Sequence, residues 1–143
     1  MERLRWFPGK PALLAVLVAA ACGDGDPGAP TVPRVAGSYV AVVFTATSEG
    51  QTLDLLALGA SLEITLSTDG RTAGRLFVPE GEEDGSDFEA DLAGTWTLEG
   101  DTVRFSHDAD TFVRDMPFHV RDGRLEGDRT FGDSRVRVVL AKR

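Results

Sequence analysis

The chain has one cysteine, Cys22, so no intramolecular disulfide can form and any fold must rest on its core. It has two histidines, His107 and His119, too few for a histidine-based metal centre unless carboxylates complete it. No apolar run is long enough to span a membrane: Pro11 to Ala21 falls well short of the ~20 residues that a ~30 Å hydrocarbon core requires. Basic residues are in deficit, with 15 Lys+Arg against 23 Asp+Glu and a formal net charge of −8. That deficit argues against nucleic acid, whose binding rests on neutralising phosphates. It also disfavours adhesion of a folded domain to anionic lipid headgroups. No Gly-x-Ser-x-Gly, phosphate-loop or dinucleotide glycine pattern occurs. No catalytic residues and no cofactor are therefore expected, and the chain is not expected to be an enzyme.

What the sequence does have begins at the N-terminus. Arg3, Arg5 and Lys10 precede Leu13-Leu14-Ala15-Val16-Leu17-Val18, and Ala19-Ala20-Ala21 lead directly to Cys22. Positive charge, a short apolar run and small residues before a cut are the order of an export signal. With the cysteine placed immediately after the small residues, the segment resembles a bacterial lipoprotein signal peptide, with Ala19 standing where the usual pattern has Leu. The resemblance implies cleavage after residue 21, lipidation of Cys22 with chains such as palmitate, and a mature protein anchored in the cell envelope. Gly23 rather than Asp follows the cysteine. By the same resemblance this favours the outer membrane, on its periplasmic or surface face, over the inner. Cleavage would remove Arg3, Arg5, Lys10 and Glu2, leaving the remainder more acidic still.

Residues 22–34 read as the lipidated cysteine and a flexible tether, because Gly23, Gly25, Pro27, Gly28, Pro30 and Pro33 leave no face to bury. Residues 35–143 form the expected single domain. There the period is two. In the first strand Val40, Val42, Phe44 and Ala46 alternate with Tyr39, Ala41, Val43 and Thr45. Leu62, Ile64 and Leu66 then make an inward face, followed by Leu76 and Val78. Leu92, Gly94, Trp96 and Leu98 continue the series, as do Val103 and Phe105. Phe112, Met116, Phe118 and Val120 read as one further face, then Leu125 to Phe131, and Val136, Val138 and Leu140 close the chain. Asp69-Gly70, Glu99-Gly100, Asp122-Gly123 and Gly132-Asp133 supply turns. About eight strands at near-even spacing predict an all-β fold: a small antiparallel up-and-down barrel or barrel-like meander. Residues 52–60 fit either a short strand or a helical turn.

Gly37-Ser38-Tyr39 opens the first strand, and Gly94-Thr95-Trp96 repeats its shape mid-chain. Both resemble the Gly-x-Trp opening of lipocalin-like barrels, with Tyr39 in place of Trp. The resemblance covers roughly residues 35–143 and implies that Gly37 and Tyr39 close the barrel floor. It also implies an arginine packed over the opening aromatic, for which Arg135 and Arg137 are the candidates. The plainer alternative is that Tyr39 and Trp96 are simply core aromatics.

The remaining polar groups carry little chemistry. His107-Asp108-Ala109-Asp110 and His119 lack a third ligand in metal-binding spacing, so no metal site is expected. The acidic run from Glu80 to Asp91 lacks the ordered Asp-x-Asp-x-Asp-Gly of a calcium loop and reads as a solvated loop. Two functions follow. In the first, the lipocalin-like domain of an envelope lipoprotein binds a small apolar or amphipathic ligand in a narrow pocket at one barrel end, lined by some of Phe44, Trp96, Phe105 and Phe118. In the second, a barrel filled with side chains serves as a structural or interaction module for another envelope protein. Gly74, Gly94 and Gly127, in register with inward faces, are expected to leave space inside.

Overall fold

The structure, a computed structural model, describes residues 29–143, so the export signal, Cys22 and the first part of the tether lie outside the described residues. Within them the chain runs α1 (Val32–Val35), β1 (Gly37–Ser48), β2 (Gln51–Asp54), β3 (Ser61–Leu66), β4 (Arg71–Val78), β5 (Phe88–Asp91), β6 (Gly94–Glu99), β7 (Thr102–His107), α2 (Phe112–Asp115), β8 (Phe118–Arg121), β9 (Arg124–Phe131) and β10 (Ser134–Lys142). Every pairing is antiparallel, and the β10–β1 ladder from Tyr39↔Lys142 to Ser48↔Ser134 closes the sheet on itself. The result is the expected all-β barrel, with eight strands around the wall and two short extra ones.

The two extra strands extend wall strands. β5 pairs with the far half of β4 (Val78↔Phe88), and β6 with its near half (Thr72↔Gly94). The register is unbroken between them, since the Leu92 N–H donates to the Gly74 carbonyl at 3.0 Å. β5 and β6 are therefore one strand kinked at Leu92-Ala93. β2 and β3 likewise both pair with β1, separated by a turn at residues 55–60. That resolves the ambiguous stretch: Gln51–Asp54 is strand and the apolar residues after it are a turn. Read this way, each wall strand pairs with its neighbours in sequence, as an up-and-down barrel requires.

Two local readings of the sequence are corrected. Strict alternation through β1 fails because the register shifts between Ala41 and Val43. The extra residue, Val42, is pushed out to 45% exposure, so Tyr39, Ala41 and Phe44 all face the core. Residues 112–116 are not strand. Thr111 caps a helical turn, its Oγ1 accepting from the Arg114 N–H at 3.4 Å, and Val113 and Met116 are buried beneath it.

Leu62, Ile64, Leu66, Leu76, Leu92, Val103, Phe118, Leu125, Val138 and Leu140 are all buried, as the period-two pattern requires. The interior is filled. Phe105 and Phe118 meet edge to face with centroids 5.4 Å apart. The glycines do not leave the expected space. A Cβ on Gly127 would lie 2.7 Å from the Met116 methyl and 2.9 Å from the Phe118 ring. One on Gly74 or Gly94 would strike the backbone of the neighbouring strand. These positions are close approaches that let a small barrel coil tightly.

Candidate functional site

The two barrel ends differ. At one end Val35, from α1, is buried, and the Tyr39 hydroxyl donates to its carbonyl at 2.5 Å. Burial holds the Tyr39 phenol above its ordinary pKa. Gly37 has φ +146°, and a Cβ there would lie 2.5 Å from the Lys142 stem. Lys142 runs past it, sets its ammonium 5.9 Å from the Tyr39 ring centre, and donates to the Arg34 carbonyl at 2.6 Å. Gly37 and Tyr39 thus sit together at this end, which α1 partly covers, leaving a hollow of about 360 Å³ between Val35, Tyr39 and the turns at Asp101 and Asp122. The cation over the ring is Lys142, not Arg135, which is engaged by both carboxylate oxygens of Asp128 at 2.8 and 2.6 Å. That pairing holds the Asp128 carboxyl below the usual range.

The opposite end is open. Its loops are the β1–β2 turn at Glu49-Gly50, the turn at 55–60, the acidic loop from Pro79 to Asp87, the stretch from Asp108 to Thr111 before α2, and the Gly132-Asp133 turn. Between them lies a pocket of about 250 Å³, walled by Phe44, Leu55, Leu76, Val78, Phe88, Phe112 and Val136, with Gly81, Asp110 and Thr111 on its rim. Phe44 forms its base, tilted against Phe112 at 5.4 Å between centroids. Phe88, Leu55, Val78 and Val136 are only partly buried, since the pocket interrupts their packing.

Of the four residues expected to line a pocket, the structure brings only Phe44 to this one. Phe105 and Phe118 pack on each other in the filled interior, and Trp96, 4% exposed, donates its indole N–H to the Ser67 carbonyl at 2.8 Å, towards the α1 end. The sequence reading missed Leu55, Phe88 and Phe112 as wall residues. Phe88 and Phe112 each abut a polar loop, the signal that marks a barrel mouth, whereas Leu55 opens an apolar turn and carried no such signal.

The histidines stand at opposite ends. His119 Nδ1 lies 3.9 Å from Asp101 at the α1 end. His107, beside the mouth, is buried, with Nε2 2.9 Å from Thr111 Oγ1 and no partner for Nδ1 among the described residues. Burial, and then the nearby Arg114 charge, depresses its pKa. Among the described residues no three His, Cys, Asp or Glu side chains gather as a metal site would need. No described helix is long and apolar enough to cross a membrane.

The acidic loop is held by its own hydrogen bonds. Asp87 accepts from the Glu80 N–H at 3.0 Å, and Asp84 accepts from the Ser86 N–H and hydroxyl at 2.9 and 2.6 Å. Those bonds from Ser86 keep the Asp84 carboxyl below the usual range. No protein-family model matches the chain, and no curated protein matches it.

Proposed function

We propose that the protein is a lipid-anchored envelope lipoprotein, held through Cys22 on the outer membrane, whose barrel binds a small apolar or amphipathic molecule at its open mouth. The observation that carries the binding reading is the pocket of about 250 Å³ at the mouth, whose wall is apolar except at Asp110 and Thr111, whereas the hollow of about 360 Å³ at the other end, between α1 and the turns at Asp101 and Asp122, is lined by Arg34 and two aspartates as well as Val35 and Tyr39. Ligand sites typically enclose about 300–1,000 Å³, so the mouth pocket suits a short chain or a small ring and excludes a whole phospholipid. Seven of its ten lining residues are large and apolar, which supports a binder.

Calorimetric titration of the purified protein, carrying Cys22→Ala so that no acyl chain competes, tests this with decanol. Saturable binding that Leu55→Trp abolishes by filling the mouth is the expected result. Absence of binding up to the solubility of decanol overturns it. A second reading, an interaction module for another envelope protein, is favoured by Leu53 and Leu58. Both lie towards the mouth end, and they are 54% and 60% exposed. Co-purification of a partner that is lost in the Leu53→Ser, Leu58→Ser variant would support it.

A further inference from the structure

The loops around the mouth have one sign of charge. Glu49, Glu80, Glu82, Glu83, Asp84, Asp87, Asp108, Asp110 and Asp133 all lie in them, and none of these loops contains a lysine or arginine. The bases at this end stand on the elements below the loops and are engaged: Arg114 with Asp110 at 2.6 Å and Asp115 at 3.2 Å, Arg129 with the Asp115 carbonyl, and Arg135 with Asp128 at 2.6 Å. Glu82, Glu83 and Asp84 make no ion pair among the described residues. They follow Gly81, which lies against Val78 and Phe88 in the pocket wall, so these carboxylates are carried on the loop that borders the apolar opening. Asp110 lines the pocket itself, and Glu82, Glu83 and Asp84 line a second, polar hollow on the same loop as Gly81, so a molecule with its tail against Phe88 and Phe112 would carry its head towards carboxylates.

We propose that the mouth selects cationic amphiphiles: molecules with a short apolar tail and a single ammonium or guanidinium head. This deepens the binding reading above and rests on it. The tail is held by the pocket wall, and the head is stabilised by several carboxylates at once with no competing lysine. An anionic head on the same tail would meet repulsion from all of them. Because the head site is open to water, the preference is sensitive to ionic strength.

The test uses the Cys22→Ala protein and three probes with the same tail: decyltrimethylammonium, decanol and decanoate. The expected order is decyltrimethylammonium tightest and decanoate weakest, with at least a tenfold ratio between them at low salt that shrinks as salt is raised. In the Glu82→Gln, Glu83→Gln variant, which keeps the Asp84–Ser86 and Asp87–Glu80 hydrogen bonds of the loop, the ratio should fall at least twofold while decanol affinity stays unchanged. Equal affinity for the two charged probes, or a ratio that the variant leaves intact, overturns the charge selection while decanol binding leaves the pocket standing. Failure of all three probes to bind removes the pocket reading itself.

Discussion

Trp96 shows at the level of one residue how position decides role. Its ring is buried and its N–H is satisfied by Ser67 on the turn after β3, so it joins two wall strands near the α1 end and faces no ligand. Trp96→Ala should cost roughly 3–5 kcal/mol, a cavity plus a lost hydrogen bond. A fall in melting temperature of only a degree or two would contradict that placement. His107 is the residue with a pH signature. Its folded pKa lies below the ordinary ~6.5, so the unfolded chain takes up the proton first, and stability present above pH ~6.5 is lost as pH falls through the depressed folded value. Between about pH 6.5 and 5, above the carboxylate range, the melting temperature should fall. His107→Gln should flatten that slope, and an unchanged slope would show that another group causes it. The burial of Trp96 was legible because alternation sets its side of the strand. The solitary His107 Nδ1 was not, since it follows from α2 packing across β7, a contact between elements that no spacing encodes.

At the level of elements, most strands were legible because alternating apolar residues and Gly-Asp turns mark each hairpin. The failures have physical causes. Phe112, Val113 and Met116 stand at helical spacing, but beside Phe118 and Val120 they read as alternation. The deciding signal was Thr111, an N-cap residue three places before Arg114. Thr111→Ala should cost about 1 kcal/mol for the cap and more for the partner lost by His107, measured by chemical denaturation. No loss of stability would mean that α2 is held by Val113 and Met116 alone. The bulge at Val42 was hidden because either face of β1 is apolar. Glycines were read as vacancies, yet Gly127 lies under Met116 and Phe118. Gly127→Val should therefore destabilise, by about 1–3 kcal/mol for overpacking. A neutral or stabilising effect would reveal the space that the sequence reading expected.

The whole molecule has a charge axis. The mouth loops carry carboxylates and no base, with Arg114, Arg129 and Arg135 on the elements beneath them, whereas the other end carries Arg34, Arg71, Arg121, Arg124, Lys142 and Arg143 beside Asp69, Glu99, Asp101 and Asp122. An anchor at Cys22 would enter at that other end, through α1, and leave the mouth pointing away from the bilayer. Two or more acyl chains at ~0.8 kcal/mol per buried CH₂ give stable attachment, so Cys22→Ala should move the protein from the membrane to the soluble fraction. Continued sedimentation with membranes would contradict the anchor. The closed barrel was legible from strand count and spacing. The pocket was not, because it arises where the residue 55–60 turn, the acidic loop and α2 meet without closing over Leu55, Val78, Phe88, Phe112 and Val136. The central claim is that this mouth, and not the barrel interior, is the binding site. The most direct test is a nuclear magnetic resonance titration of the Cys22→Ala protein with decyltrimethylammonium, following every backbone amide and the Trp96 indole. Saturable shifts at Phe44, Leu55, Val78, Gly81, Phe88 and Phe112, with Trp96 and Tyr39 unmoved, are the predicted result. Shifts centred on Trp96, Phe105 and Tyr39, or none at all up to the solubility of the probe, would contradict it.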